Sequence, residues 1–376
     1  MELEQLLPAI SGMTWQHLIM IGVGVTLIYL AIAKKYEPTL LLPMGFGAIL
    51  VNIPLSSAIT QIDPATGEAL EGVLNIFFDA GIATEIFPLL IFIAIGAMID
   101  FSSLFRNPSL LLFGAAAQFG IFMTMVLAAL LGYDIREAAS IGIIGAADGP
   151  TSIVVASRFA PHMLGPISVA AYSYMALVPI IQPPVIKLLT SRKERLIRMK
   201  TDANRQISKK ALIAFPIVIT ITAGLIAPSS LALVGFLIFG NLIIECGVLN
   251  KLSLSAQNEL SSLVTILLGI TIASTMTADR FIRVDTLIII GLGLFAFVFD
   301  TFGGVIFAKF LNIFRKEDNK INPMIGACGI SAFPMSARVI HQMGQKEDPY
   351  NYLLMPAISA NVGGQIGSVV AGGIIL

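Results

Sequence analysis

Long apolar runs separated by short polar connections make up most of the chain. They cover Trp15–Ala33, Leu40–Ala58, Phe87–Phe101, Ser109–Leu131 and Pro166–Leu189, then Ala211–Ala227, Leu231–Cys246, Leu260–Met276, Thr286–Leu311 and Tyr350–Leu376. A helix needs about 20 mostly apolar residues to cross the hydrocarbon of a bilayer, so the pattern predicts ten spans, a few of them short. Two further stretches, about residues 135–162 and 321–345, are small and apolar but broken by Gly and Pro. Neither fits one helix. A segment that enters, breaks and returns to the same face fits better, because irregular backbone at membrane depth is tolerated only where protein or a water-filled cavity satisfies it. The expected fold is an all-α polytopic membrane protein.

Charge orients the spans. Lys187–Lys210 carries nine Lys or Arg and two acids, which places this loop in the cytoplasm by the positive-inside rule. Counting crossings outward from it puts 18 of the 23 Lys and Arg inside and four outside, with Arg338 in an intramembrane segment. Five spans on each side of the loop give two oppositely oriented halves, 1–190 and 211–376, joined by the basic loop 191–210. That is an inverted repeat. An internal match agrees: "GIIGAADGPTS" from Gly142 and "GACGISAFPMS" from Gly326 share GxxGxxxxPxS, and Pro166…Gln182 matches Pro349…Gln365 in spacing. Both broken hairpins follow the fourth span of their half, one entering from outside and one from the cytoplasm, so their tips are expected to meet near the midplane.

Composition narrows the function. The chain is 56% hydrophobic and 12% charged with a mean hydropathy of +0.88, values outside the soluble range. Zero formal net charge argues against a nucleic-acid partner, and no P-loop appears, so ATP is not the expected drive. Cys246 and Cys328 form neither a disulfide framework nor a metal-binding spacing. The acidic start, "MELEQLLPAISG", lacks the basic region of a removable signal peptide.

The candidate chemistry sits in the broken hairpins. Asp148, in "GAADGPTS", is a carboxylate in a membrane segment, which costs several kcal/mol unless it is paired or hydrated. Gly149–Pro150 break the helix beside it and free backbone groups, a setting for a hard cation or a proton. A polar surface turn is the alternative use of Asp-Gly. The second hairpin, "NPMIGACGISAFPMSAR", offers Asn322 as a ligand or as a helix cap ahead of Pro323, Ser331 and Ser336 as ligands or as partners of their own helix backbone, and Arg338. An arginine inside the membrane requires an anion, either Asp148 or a bound carboxylate, unless it snorkels to the edge. Asn361 and Gln365 in "ISANVGGQIGS" share one helical face. Tyr172 and Tyr174 serve either as interfacial tyrosines or as proton donors. Asp300, deep in "FAFVFDTFGG", is a second-rank candidate for the ion path, and His162 and His341 are expected at the surfaces rather than on a metal.

Taken in order, "GAADGPTS", "NPMIGACGISAFPMSAR" and "NVGGQIGS" resemble the beta subunits of sodium-pumping, biotin-dependent decarboxylases, which act on oxaloacetate, methylmalonyl-CoA, glutaconyl-CoA or malonate. The resemblance covers nearly the whole chain. It implies a bacterial inner-membrane subunit that decarboxylates carboxybiotin and moves sodium outward. It also implies a biotin-bearing alpha subunit, a small gamma or delta membrane subunit, and a homo-oligomer within the complex. Biotin is expected on the partner, since the Met-Lys-Met carrier signature is absent. Residue by residue, the resemblance implies sodium at Asp148, Asn322, Ser331 and Asn361, catalytic roles for Asp148, Tyr172, Tyr174 and Arg338, and carboxybiotin at Arg338 and Ser336, with sodium as the only metal. It assigns nothing to Asp300. A stand-alone sodium/proton antiporter or sodium-coupled carboxylate carrier is the competing reading.

Overall fold

Helices account for nearly all of the regular structure. The structure, a computed structural model, describes residues 8–62, 67–199, 207–226 and 228–376. The first seven residues of the acidic start, residues 63–66 of the acidic outer loop, residues 200–206 of the basic loop and Ala227 lie outside the described residues.

The first half runs α1 (Trp15–Ala33), α2 (Pro38–Val51), α3 (Val73–Phe77, continued by a π-helical turn over Phe78–Ala83), α4 (Ile86–Met98) and α5 (Pro108–Leu130). A broken pair follows, α6 (Ile135–Gly142) with a 3-10 turn over Ile143–Ala146 and then α7 (Gly149–Phe159), and α8 (Leu164–Leu189) closes the half. After the basic loop come α9 (Lys209–Ile226), α10 (Pro228–Glu245), α11 (Asn250–Thr275) and α12 (Val284–Ile313). A 3-10 segment over Pro323–Gly329, α13 (Met335–Glu347) and α14 (Leu354–Ile375) complete the second half. Gln61–Ile62 and Ala69–Leu70 form a small antiparallel ladder in the acidic loop between α2 and α3.

Among the described residues, six helices are long and apolar enough to cross a membrane, and eight if each of two bent pairs counts as one span. Each of the ten apolar runs is built on a helix, but the helices of two of them, Pro38–Val51 and Lys209–Ile226, belong to neither group. The first was expected to run to Ala58, yet α2 stops at Val51. Asn52 caps it, donating to Ala48 O and to Met276 O at 2.8 Å each, and Pro54 follows and cannot continue the ladder. The second, α9, begins with Lys209 and Lys210. The third run is longer than expected: α3 and its π turn meet α4 at 58°, with Glu85 at φ +64° forming the joint. The arms of α8 meet at 66°, because Pro179 has no N–H for the carbonyl of Met175.

Trp15, Leu18, Val25, Tyr29 and Ile32 expose an apolar stripe on α1, as a lipid-facing helix should. Inside, helices approach closely through small residues. A Cβ on Gly96 of α4 would stand 1.7 Å from Leu237 O of α10, and one on Gly240 of α10 would stand 2.1 Å from Ile93 O of α4. The tips of the two broken hairpins touch: Ser331 N donates to Ala146 O at 2.9 Å.

Candidate functional site: the junction of the two broken hairpins

Asp148 owes its position to a strained turn. Ala147 before it has φ +51°, the left-handed region that costs a residue with a Cβ about 1–2 kcal/mol. The turn redirects the chain so that Asp148 caps α7, where its Oδ1 accepts from Thr151 N at 3.3 Å. Gly149–Pro150 then start the helix without a steric or donor penalty. Gly149 is also where Tyr172 packs: a Cβ there would lie 2.1 Å from the ring of Tyr172.

The carboxylate is buried and is in no ion pair among the described residues. Its Oδ2 accepts from Thr151 Oγ1 at 2.7 Å and from Ser368 Oγ at 2.8 Å. The Ser331 hydroxyl bonds to that of Ser368, so a hydroxyl chain runs from the second hairpin through α14 to Asp148. Gln365 Nε2 donates to Ser331 O. Asn361 Nδ2 donates to Cys328 O at 3.3 Å and Ile330 O at 2.6 Å, which leaves the side-chain oxygens of Asn361 and Gln365, like Tyr172 Oη, buried with no hydrogen bond among the described residues. A cavity of about 240 Å³ opens here, lined by Asp148, Tyr172, Ser331, Gln365, Glu37 and Thr265 among others. Carboxylate, amide and hydroxyl oxygens around a small cavity suit a hard monovalent cation, which sodium is.

Of the residues singled out in the sequence, Asp148, Tyr172, Ser331 and Gln365 share this cavity, and Asn361 stands one turn before Gln365 on α14. The others stand elsewhere. Asn322 caps the 3-10 segment, with Oδ1 accepting from Met324 N at 3.1 Å and Nδ2 donating to Arg195 O and Ile197 O at 2.9 Å each. Its Oδ1 makes the cap, and its Nδ2 ties the segment to the stretch after α8. Ser336 donates to Gln182 Oε1 at 3.0 Å and Ala327 O at 3.1 Å. Tyr174 donates to Ile290 O and stacks on Phe297, which turns its hydroxyl towards α12. Arg338 lies exposed on α13 and makes no ion pair among the described residues, with Asp148 or any other acid.

Thr151 and Ser368 were not singled out. A signal existed for both: Thr151 stands three residues after Asp148, the spacing of a capping contact, and Ser368 continues the Asn361–Gln365 face by three more residues. Asp300 is buried on α12, behind the first hairpin. Its Oδ1 accepts from Ile121 N at 3.2 Å where α5 is interrupted at Ala117–Gln118, and its Oδ2 would be 2.5 Å from a Cβ on Gly145. His162 pairs with Glu137 at 3.1 Å at the surface, whereas the His341 ring is half-buried near Tyr352. No group of His, Cys, Asp and Glu that would hold a metal ion occurs among the described residues.

The foot of the second hairpin is fastened to the segment that follows α8. Arg195 Nε donates to Glu347 Oε1 at 2.7 Å, its carbonyl accepts from Asn322 and from Asn351, and Arg198 pairs with Asp348 at 2.6 Å. Arg195 holds the Glu347 carboxyl below the usual range, and Arg198 does the same for Asp348.

Comparison with known proteins gives a consistent result. The family model of the Na+-transporting oxaloacetate decarboxylase beta subunit matches residues 16–376. The chain is 48% identical to the methylmalonyl-CoA decarboxylase subunit beta of Propionigenium modestum, over 97% of this chain and 95% of that protein. It is 49% identical to the glutaconyl-CoA decarboxylase subunit beta of Acidaminococcus fermentans, over 96% and 93%. With the oxaloacetate decarboxylase beta chain 2 of Salmonella typhi the identity is 43%, over 100% and 99%.

Proposed function

This chain belongs to the family of sodium-transporting decarboxylase beta subunits, and from that premise we propose that the junction of its two hairpins is where a sodium ion and a proton exchange as carboxybiotin is decarboxylated. The chain is a multi-pass subunit of the bacterial inner membrane and the decarboxylating, sodium-translocating component of a multi-subunit enzyme. Its relatives act on oxaloacetate, methylmalonyl-CoA or glutaconyl-CoA, and the acid is read elsewhere in the complex. The partners we assign are a biotin-bearing alpha subunit, which brings the carboxyl group, and a small gamma or delta membrane subunit. A homo-oligomeric arrangement of the complex is part of the same proposal.

One observation carries the reading: a buried carboxylate without a counter-charge, held by Thr151 and Ser368 at the point where the two hairpins meet. Such a group needs either a proton or a cation. Sodium binds the ionised form, with Asp148 supplying the charge and Ser331, Asn361 and Gln365 supplying neutral oxygens. Loss of carbon dioxide breaks the N–C bond of carboxybiotin, leaves its electron pair on the ureido nitrogen and takes up one proton there. A proton drawn towards that step passes through Asp148 or Tyr172. While Asp148 carries it, the neutral carboxyl is a poor ligand and the ion departs outward; when the proton leaves, the site accepts sodium again. Asn322, Ser336, Tyr174 and Arg338 act in this scheme on the position of the hairpins and on the approach of the carboxylate.

The architecture that moves the ion is, in our reading, two inverted repeats of five spans, 1–190 and 211–376, each with a re-entrant hairpin whose tip reaches the midplane. The repeated order of elements supports it. So does a pair of matching hydrogen bonds across the two turns, Ser152 Oγ to Ile143 O at 3.5 Å and Ser336 Oγ to Ala327 O at 3.1 Å, offset by the same 184 residues as the motifs. The test is Asp148→Asn in the reconstituted complex. Sodium-dependent decarboxylation and sodium uptake into vesicles should both fall at least about a hundredfold. Uptake at the wild-type rate would overturn the assignment.

A further inference from the structure

A second cavity, of about 300 Å³, lies at the foot of the second hairpin between the last turns of α8 and the descending helix α13. Its walls are apolar: Pro179 and Pro183 from α8, Val339 and Met343 from α13. Its polar groups are Gln342 and two lysines, Lys187 and Lys346. Neither lysine is in an ion pair among the described residues, and both are exposed. The acid that also borders the cavity, Glu347, is already engaged by Arg195 at 2.7 Å and Arg192 at 3.4 Å. The rim is therefore cationic. Pro183 has no N–H, so the carbonyl of Pro179, itself in the wall, lacks its intrahelical donor. Arg338 stands one turn above Gln342 on α13, towards the hairpin tip.

We propose that this cavity receives the N-carboxylated ureido ring of carboxybiotin as it arrives from the cytoplasm, an inference that rests on the decarboxylase reading above. Each part of that ring system has a counterpart. The carboxylate meets the two ammonium groups. The remaining ureido N–H meets the freed carbonyl of Pro179, and the ureido oxygen meets the Gln342 amide. The thioether bicycle meets the proline, valine and methionine walls, and the volume stands at the lower end for a small-molecule site. Position suits the task as well. The cavity adjoins the ion-paired foot of the hairpin whose other end carries Ser331, so a ligand seated there bears on the element that reaches Asp148 through Ser368.

The experiment uses the whole complex in nanodiscs, with chemically prepared N-carboxybiotin as soluble probe, and follows decarboxylation against probe concentration. Lys187→Gln combined with Lys346→Gln should raise KM about tenfold or more, the scale of losing charge-assisted contacts, with kcat within about twofold and the sodium half-saturation unmoved. Lys187→Arg with Lys346→Arg, which keeps the charge, should keep KM near wild type. An unchanged KM in the glutamine pair overturns the inference. So does a KM effect present only in anionic nanodiscs and lost in zwitterionic ones, which would identify a lipid headgroup site. If instead the wild-type complex fails to turn the probe over in the presence of sodium, the decarboxylase reading of the chain has failed, and the two failures are told apart.

Discussion

Gly149→Ala is the smallest change that should disable the ion site while leaving every polar group in place. The added Cβ would sit 2.1 Å from Cζ, 2.3 Å from Cε1 and 2.5 Å from Cε2 of Tyr172. Ordinary contact begins at 3.4 Å, so the hairpin turn and the ring must separate by about 1.3 Å. The ring is rigid and buried, hence the turn or α8 must give. Overpacking of this kind costs about 1–3 kcal/mol. If that cost falls on the ion-bound state, sodium half-saturation rises about five- to 150-fold, and turnover falls further because an error near 1 Å in a reacting constellation costs about a hundredfold. The assay is sodium-dependent decarboxylation by the complex, with radioactive sodium uptake into vesicles in parallel and thermal unfolding as the control for gross damage. Tyr172→Phe should leave the Gly149→Ala defect intact, since the ring is the obstacle. Tyr172→Ala in the same background should recover sodium affinity relative to the single mutant, giving a coupling between the two sites. Wild-type half-saturation in Gly149→Ala, or strict additivity in the double mutant, would refute the packing argument.

Three further outcomes follow from the geometry. Ser368→Ala removes one charge-assisted bond to Asp148 and should weaken sodium binding by about 1.5–3 kcal/mol, read as half-saturation; an unchanged value would mean that the hydroxyl does not support the carboxylate. Asp300→Asn keeps an acceptor for Ile121 N and should fold and transport, whereas Asp300→Ala strands that buried N–H and should lower stability by about 1–3 kcal/mol; equal damage from both would show that the charge itself is needed. Glu347 and Asp348 have carboxyls depressed by Arg195 and Arg198. Their stabilising contribution is therefore complete above the ordinary carboxylate range and is lost as pH falls through and below it. Proteolysis of the segment around Arg195–Arg198 should be constant from about pH 6 to 8 and rise below about pH 4, and sensitivity already rising at pH 7 would contradict the ion-pair assignment.

The all-helical, membrane-crossing character and the breaks beside Asp148 and in the 3-10 segment were legible because each has a local cause. Twenty apolar residues in a row admit one secondary structure in a bilayer, and Gly-Pro pairs with a lone acid mark a break wherever they occur. Helix ends were less legible. The halt of α2 at Val51 depends on Asn52 reaching Met276, more than two hundred residues away, and the bend at Glu85 on a left-handed residue that no pattern of hydrophobicity announces.

Within the site, legibility followed the number of separate segments a role requires. Asp148 stands out alone, since a carboxylate in an apolar hairpin is costly without a partner. Its partners do not. Ser368 is one serine among many until α14 lies against α7 and its hydroxyl points at Oδ2. Asn322 can be a ligand or a cap from its neighbours alone; its Oδ1 caps the segment through Met324 N, and the bonds of its Nδ2 to Arg195 O and Ile197 O appear only once the chain is folded. The same holds for Asp300, whose depth suggested an ion path but whose Oδ1 answers a backbone N–H freed by the interruption of α5. A buried polar residue declares a debt of hydrogen bonds and charge, not the creditor. Where the creditor is backbone, as at Asn322 and in part at Asp300, substitution should read out as stability. Where a carboxylate and an amide oxygen are left facing a small cavity, as at Asp148 and Gln365, it should read out as sodium affinity.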